Sequence, residues 1–146
     1  MPERDPDCIF CKIIAGEIPS ARVYEDEHCL AFMDIAPLQP GHTLVIPKDH
    51  HELMTDMPAE TMAAVGRVLP RAARAVMAAS GAEGFSILQS NRAVAGQVVP
   101  HVHVHIIPRR NADGLGFRWN AGQYAEGEMD DWRSRIAAAL EEDVEA

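Results

Sequence analysis

Apolar residues recur at helical spacing in three stretches of the chain, and each stretch predicts a helix. The first covers residues 9–15 and ends at Gly16, and the second runs from Pro58 to about residue 80. Pro70 lies inside the second stretch and predicts a kink, because proline cannot donate the backbone hydrogen bond of a helix interior. A third, amphipathic helix is predicted from about residue 127 to residue 142.

Shorter apolar runs bounded by polar, glycine or proline residues predict strands. The predicted strands cover residues 21–25, 29–33, 43–47, 85–90 and 101–108, the first two forming a hairpin. This order of elements predicts an α+β fold with an antiparallel sheet. No linker rich in serine, glycine or proline divides the chain, so residues 1–146 are predicted to form a single domain, with 127–146 as its C-terminal helix and acidic tail.

Three histidines alternate with valines at the start of the last predicted strand. Because successive side chains of a strand point to opposite faces, His101, His103 and His105 are predicted to share one face. Val102 and Val104 would then face the core. Proteins use histidine sparingly, so three in register indicate chemistry. The residues leave open a metal cluster and a histidine that attacks phosphorus or carbon.

Composition and charge limit the classes of function. With 146 residues, 47% of them hydrophobic, the chain can bury one sizeable core. The net charge of -9 argues against a nucleic-acid partner, but most of it comes from the region between Glu126 and Ala146, so a nucleotide-sized anion remains possible. No stretch approaches the roughly 18 apolar residues of a membrane span, and residues 1–7 lack a signal-peptide core. We therefore expect a cytoplasmic protein whose three cysteines stay thiols or bind metal.

Four segments of the sequence, in this order and spacing, resemble those of a known family. The chain reads CIFCKIIAGEIPS near its N-terminus, CLAFMDIAPLQPGHTLVIPKDHH in the middle, and AGQ shortly before HVHVHII. From Cys8 to Arg109 it resembles the bacterial branch of the histidine triad nucleotide-binding (HIT) proteins. The resemblance implies a five-stranded antiparallel sheet with two main helices, to which the predicted C-terminal helix is added. It also implies a homodimer built around a continuous ten-stranded sheet.

The activity implied by the resemblance is hydrolysis or transfer of a nucleotidyl group. The bond broken would lie at the α-phosphate of a purine nucleoside phosphoramidate or related conjugate, with a covalent nucleotidyl-histidine intermediate and no organic cofactor. His103 has the position of the nucleophile, His105 that of a donor to the phosphate or bridging atom, and His101 that of a supporting residue. The residue types agree, since such catalysis needs a neutral imidazole, donors for phosphate oxygens and a proton for the leaving group.

The resemblance also assigns residues of the first half of the chain to the nucleoside. The apolar residues that match the base pocket are Phe10, Ile13, Ile18, Phe32 and Ile35. Asp34 matches the carboxylate that accepts both ribose hydroxyls, and His42 matches a buried histidine beside the site. The alternative for the apolar residues and for His42 is an ordinary place in the core.

The loop before the triad is assigned to the polar surroundings of the phosphate. Asn91 and Gln97 resemble residues that contact ribose or phosphate, with ordinary turn chemistry as the alternative. Gly96 would let the backbone approach the phosphate without a Cβ in the way. Val98 stands where many family members have serine or threonine, so it lacks a hydroxyl that would bond near the leaving group.

A second group of residues has the spacing of a zinc site. Cys8 and Cys11 form a Cys-x-x-Cys pair, and His50 together with His101 would complete a tetrahedral set, as in several bacterial relatives. Such a closed site would be structural and would tie the N-terminal segment to the triad strand. The alternative is a pair of reduced cysteines packed near the first helix.

Two other functions are alternatives to the hypothesis of a nucleophilic histidine. The triad could instead hold a catalytic zinc that activates water, but no Asp or Glu lies between Asn91 and Arg110 to serve as its base. The chain could also be a nucleotide-binding regulatory module with little turnover. Hydrolysis that persists with a chelator would indicate a nucleophilic histidine, and hydrolysis that stops with a chelator would indicate a catalytic zinc. Binding without hydrolysis would indicate a binding module.

Overall fold

The computed structural model describes residues 3–116 and 120–143. It divides into two compact units, Met1–Asp113 and Gly114–Ala146. Among its described residues, the first unit contains two α-helices and five strands, which are α1 (Ile9–Ile14), β1 (Arg22–Glu25), β2 (Cys29–Met33), β3 (Thr43–Pro47), α2 (Ala59–Ser80), β4 (Gly84–Leu88) and β5 (Val104–Arg109). The second unit contains α3 (Glu128–Glu142).

The five strands form one antiparallel sheet in the order β1-β2-β3-β5-β4. The hairpin between β1 and β2 turns at Asp26, whose Oδ1 accepts the N–H groups of His28 and Cys29, both at 2.7 Å. This confirms the α+β fold with a five-stranded antiparallel sheet that the sequence and the family resemblance predict.

The two faces of the sheet are covered by different helices. One face packs against α1, with Leu30, Phe32, Leu44 and Ile46 contributed by the strands. The alternate residues of the same strands and of β5 pack on the other face against α2, and these are Cys29, Ala31, Val45, Val104 and Ile106. The period of two along β2 and β3 therefore divides the core into two layers.

Helix α2 follows its sequence signals closely. Pro58 is its N-cap residue, and Gly81 ends it with a left-handed φ of 64°, a conformation that glycine adopts without a steric penalty. The helix continues through Pro70 as one element, so this proline does not end it, and the kink stays a prediction.

The strands on either side of the triad loop differ from the predicted bounds. Strand β4 ends at Leu88 rather than at residue 90, since its pairing with β5 ends where Leu88 lies opposite His105. The Gln89 side chain bonds within the loop that follows, to the carbonyl oxygen of Ser90 and to Asn91. Strand β5 begins at Val104 rather than at residue 101, since neither neighbouring strand pairs with the chain before it.

The C-terminal helix α3 confirms the helix predicted near residues 127–142. Its surface ion pairs join Arg133 to Asp130 at 2.9 Å and Arg135 to Asp131 at 2.7 Å. The predicted tail beyond Asp143 lies outside the described residues. No helix within the described residues is long and apolar enough to cross a membrane.

Candidate functional site

The triad lies where the chain enters β5. His105 is the second residue of this strand and pairs with both β3 and β4, which fixes its direction. His101 and His103 precede the paired part, and both are buried. The chain is held there by Val102, whose N–H donates to the carbonyl oxygen of His51 over 2.8 Å.

The backbone holds His103 in one tautomer. Its Nδ1 lies 2.7 Å from the carbonyl oxygen of His101, and because a carbonyl only accepts, Nδ1 carries the proton and donates it. In a neutral imidazole the other nitrogen, Nε2, then has a free lone pair. The ring of Phe10 packs edge-on against His103 with 5.1 Å between centroids. His103 therefore has the unprotonated nitrogen that a nucleophile requires.

Hydrogen bonds fix the tautomer of His105 in the opposite sense. The N–H of Leu38 donates to Nδ1 of His42 over 3.0 Å, so the proton of neutral His42 lies on Nε2. That nitrogen donates to Nδ1 of His105 over 2.9 Å, and Nε2 of His105 therefore carries a proton. The rings of His103 and His105 lie 5.0 Å apart, so the site places a lone pair beside an N–H donor.

Burial keeps His42 and His105 neutral before a ligand binds. It is the main reason that the pKa of His105 falls from 6.5 to about 4, and the charges of His103 and His42 act in the same direction. Burial also lowers the pKa of His42, while the carboxylate of Asp34 opposes this shift. The neutral tautomers of His42 and His105 are therefore the forms present near pH 7.

Asp34 directly follows β2 and lies beside the histidines. Its Oδ1 accepts the N–H of Ala36 at 2.8 Å, and its Oδ2 lies 3.6 Å from Nε2 of His42. Each carboxylate oxygen has two lone pairs, and the side chain is 19% exposed. Asp34 thus keeps the capacity to accept ribose hydroxyls.

Four of the five residues predicted for the base pocket lie together. Phe10, Ile13 and Phe32 are buried in one cluster, and Ile18 packs against it. The rings of Phe10 and Phe32 meet edge-on with centroids 5.5 Å apart. Ile35 is 99% exposed and lies outside this cluster.

The two amides predicted to contact the nucleotide are bonded to the protein itself. Oδ1 of Asn91 accepts the N–H of Met54 at 2.8 Å. Oε1 of Gln97 accepts the N–H of Arg92, and its Nε2 donates to the carbonyl oxygen of Glu52, both at 2.7 Å. These bonds order the loop, as the turn alternative for Asn91 and Gln97 expects, and their contacts with a nucleotide stay predictions.

Backbone strain in this loop is a feature that the sequence does not reveal. Arg92 has φ 75° and ψ 155°, a region that is almost exclusive to glycine and costs about 1–3 kcal/mol for other residues. Gly96 has φ 98°, and a Cβ there would meet only Ser90 Oγ, at 3.9 Å. Its backbone conformation, rather than a close approach to protein atoms, explains glycine there. Val98 is 89% exposed.

The four predicted metal ligands converge. Nδ1 of His101 lies 3.4 Å from Sγ of Cys8, 3.6 Å from Sγ of Cys11 and 3.3 Å from Nδ1 of His50. Sγ of Cys11 and Nδ1 of His50 are 3.5 Å apart. Tetrahedral zinc, with Zn–S of about 2.3 Å and Zn–N of about 2.0–2.1 Å, separates its ligand atoms by about 3.3–3.8 Å. The measured separations fit one such tetrahedron.

The protonation of His101 also suits a metal ligand. Its Nε2 donates to the carbonyl oxygen of Pro47 over 2.9 Å, which leaves Nδ1 unprotonated toward the cysteines. Burial lowers the pKa of His101 to about 4, so the ring is neutral as ligation requires. Burial raises the pKa of the Cys11 thiol to about 11, and the charge of a cation would favour the thiolate. The donor set therefore fits zinc.

The three triad histidines do not belong to one group of possible metal ligands. In residues 3–116 and 120–143, the groups with ligand atoms close enough to share an ion are Cys8, Cys11, His50 and His101, and separately Asp34, His42 and His105. His103 belongs to neither group, and the 2.9 Å contact of His42 with His105 is already explained as a hydrogen bond. The three triad histidines therefore do not converge on one position, which argues against a catalytic zinc triad.

A separate apolar groove of about 640 Å³ opens beside α2 and is lined by Val68, Val76 and Arg71 among others. Its lining contains no histidine, cysteine or carboxylate. The clustered imidazoles, which are the groups that most often perform acid–base chemistry near neutral pH, thus lie at the triad rather than in this groove.

Sequence comparisons identify relatives across most of the chain. A family model described as the HIT domain matches residues 15–112. The adenylylsulfatase HINT3 of Arabidopsis thaliana is 45% identical over 109 residues, which are 75% of this chain and 55% of that protein, so the chain spans about half of that relative. The adenosine 5'-monophosphoramidase hnt1 of Schizosaccharomyces pombe is 43% identical over 113 residues, 77% of this chain and 82% of the relative.

Solved structures agree with the sequence comparisons. A HIT family protein from Bacillus subtilis has a TM-score of 0.87 and 45% identity, covering 90% of this chain and 96% of its own. A zinc-bound histidine triad family protein from Mycobacterium smegmatis has a TM-score of 0.71 and 40% identity, covering 91% of this chain and 97% of its own. From its match to the family model and from these relatives, the chain belongs to the HIT domain family.

Proposed function

We propose that the protein hydrolyses or transfers nucleotidyl groups at the α-phosphate of purine nucleoside phosphoramidates or related conjugates, through a covalent intermediate on His103. The observation that carries this proposal is the 2.7 Å hydrogen bond from Nδ1 of His103 to the carbonyl oxygen of His101. A neutral imidazole that carries its proton on Nδ1 can attack phosphorus with Nε2 without first losing a proton.

In the proposed first step, Nε2 of His103 bonds to the α-phosphorus while the bond from phosphorus to the leaving atom breaks. A bound phosphate anion raises the pKa of His105, so the hydrogen-bonded pair of His42 and His105 takes up a proton with the substrate. This proton enters at Nδ1 of His42 in place of the N–H of Leu38, and the proton between the two rings moves to Nδ1 of His105. Nε2 of His105 then gives this proton to a leaving nitrogen. Water attacks the nucleotidyl-imidazole next, returns a proton to the pair, and releases the nucleoside monophosphate from neutral His103.

The names of the relatives support the reaction class. One is named for hydrolysis of an adenylyl sulfate and another for hydrolysis of an adenosine monophosphoramidate. We propose an adenylyl or other purine nucleotidyl group for this chain as well. Val98 offers no hydroxyl to the leaving group, so its preference would depend on the histidines and on backbone N–H groups.

A second copy of the chain is the proposed protein partner. Strand β4 lies at an edge of the sheet, and its residues Phe85, Ile87 and Leu88 are 47%, 47% and 44% exposed. An unpaired apolar edge is a template for pairing with another strand. A homodimer joined along β4 would cover these side chains, and light scattering should then give twice the 16.0 kDa chain mass.

We further propose one structural zinc ion held by Cys8, Cys11, His50 and His101, with no organic cofactor and no nucleic-acid partner. The fit of the four donors to a tetrahedron supports the zinc, and a solved relative is titled as zinc-bound. The net charge of -9 supports the exclusion of nucleic acid. A cytoplasmic location is consistent with three free cysteines.

The test is release of AMP from adenosine 5'-phosphoramidate by the purified full chain, followed by chromatography. We expect hydrolysis whose initial rate is unchanged when EDTA is added immediately before the substrate. Hydrolysis that stops at once with EDTA would favour the metal-dependent alternative. Binding of AMP without hydrolysis of any purine nucleotidyl conjugate would favour a regulatory binding module.

A further inference from the structure

We propose that the metal-ligand cluster and the catalytic histidine are energetically coupled through His101 and Phe10, so that metal occupancy and nucleotide binding strengthen each other. The inference rests on the proposed nucleotide-binding function and extends it to control by metal availability.

The first link is His101, which contacts both sites with different atoms. Its Nδ1 lies 3.4 Å from Sγ of Cys8 and 3.6 Å from Sγ of Cys11. Its carbonyl oxygen accepts the Nδ1 proton of His103 at 2.7 Å, and its Nε2 is tied to the carbonyl oxygen of Pro47 at 2.9 Å. Any displacement of His101 by loss of its metal contacts would therefore move the acceptor that fixes the His103 tautomer.

The second link is Phe10, a residue of α1 that lies in sequence between Cys8 and Cys11. Its ring contacts His101 and His103 edge-on, with centroids 5.8 and 5.1 Å apart. Helix α1 has only six residues, and its N-cap is Cys8, whose Sγ accepts the N–H of Cys11 at 3.4 Å. So short a helix is not stable by itself, so ligation of its cysteines would strongly influence where Phe10 lies.

Because of these contacts, the metal ion and the nucleotide would both favour the same position of α1. Metal ligation holds the start of the helix, while nucleotide binding requires Phe10 and His103 in place. Two ligands that stabilise the same arrangement bind cooperatively, and each must change the affinity of the other by the same factor. Couplings of this kind commonly amount to roughly 5- to 150-fold.

The main experiment uses the zinc-loaded full chain. Its zinc affinity is measured by competition with a chromophoric chelator, with and without saturating AMP. We expect AMP to tighten zinc binding at least about fivefold, and the metal-free chain to bind AMP more weakly by the same factor. A change in zinc affinity of less than twofold, in a protein that binds AMP, would overturn the proposal.

A variant distinguishes this route from coupling through global folding. Phe10→Leu keeps all four metal ligands and an apolar side chain, so it should bind one zinc ion per chain but lose most of the mutual enhancement. Cys29→Ala is the matched control, because Cys29 is buried in the cluster beneath α2 and should leave the enhancement intact. Wild-type enhancement in Phe10→Leu would overturn the route through α1.

Ring-nitrogen NMR of His103 tests the link independently of nucleotide binding. The zinc-loaded chain should show the single tautomer protonated at Nδ1, and removal of zinc from the folded chain should give a mixture. If AMP does not bind but His103 responds to zinc, the proposed function fails and the metal link stands. If AMP binds and turnover occurs but His103 ignores zinc, the link fails and the proposed function stands.

Discussion

Nε2 of His42 lies 2.9 Å from Nδ1 of His105, across 63 positions of the sequence. Because Leu38 already donates to the other nitrogen of His42, this one contact determines that His105 presents a proton at Nε2. His42 would act on the reaction through His105 and is in this sense a positioning residue.

Replacement of His42 should therefore affect proton donation more than binding. We expect His42→Leu to lower turnover by roughly 100-fold, the effect of removing a positioned acid–base group, and to change AMP affinity little. The loss should grow as the leaving group becomes more basic, which a series of substituted phosphoramidates would measure. Exposed His28 provides the control, since His28→Gln should keep wild-type kinetics. An equal loss for all leaving groups would contradict this role.

The sequence predicts which residues gather at the site better than it predicts their hydrogen bonds. The alternation of His101, His103 and His105 with valines identifies the triad, and Cys-x-x-Cys spacing identifies half of the donor cluster. The tautomers depend instead on contacts between distant parts of the chain, such as that of His101 with Pro47, 54 positions away. Local patterns carry no information on such contacts.

The sequence pattern does not predict the conformation of the loop before the triad either. Asn91 and Gln97 stand out as polar residues near the triad, yet each has an oxygen bonded to a backbone N–H. The left-handed φ of Arg92 has no sequence signal at all, because arginine rarely adopts it. Its N–H bond to the Gln97 side chain, formed only in the folded loop, accompanies this strained conformation.

Asp34 is expected to recognise the ribose. Removing an acceptor that bonds as a charged group should weaken AMP binding by about 1.5–3 kcal/mol in Asp34→Ala, and discrimination against deoxy-AMP should fall too. Asp34→Asn keeps an oxygen for the N–H of Ala36 and serves as the control for loop geometry. Calorimetric titration with both nucleotides measures the effect. Wild-type preference for ribose in the alanine variant would exclude Asp34 as the anchor.

Metal binding should depend on Cys11 and not on the third cysteine. We expect purified protein to contain about one zinc per chain, and Cys11→Ala to lose both the zinc and several kcal/mol of unfolding free energy, the order of magnitude for metal-coupled folding. Elemental analysis and denaturant titration measure the two effects, with Cys29→Ala retaining its zinc. Wild-type protein that is metal-free and equally stable without added zinc would contradict the site.

Acid should destabilise the fold through its buried histidines. The pKa values of His101 and His105 are lowered from 6.5 to about 4 in the folded chain, so the unfolded chain binds more protons between these values. The free energy of unfolding should therefore decrease as the pH falls from about 6.5 to about 4, and it should not depend on these two groups above pH 7. Urea titrations measure it, and His105→Gln should flatten the slope whereas His28→Gln should not. If His105→Gln left the pH dependence of the free energy of unfolding unchanged, burial would not lower the pKa of His105 as inferred.

Rapid-quench mass spectrometry with adenosine 5'-phosphoramidate would detect the covalent nucleotide that we propose on His103. We expect an adenylyl adduct on the peptide that contains His103, formed in the presence of EDTA. We also expect His103→Ala to bind AMP but to lose turnover by about 1,000-fold or more, since a covalent route is removed. An adduct mapped to another residue, or substantial hydrolysis by His103→Ala, would exclude His103 as the nucleophile.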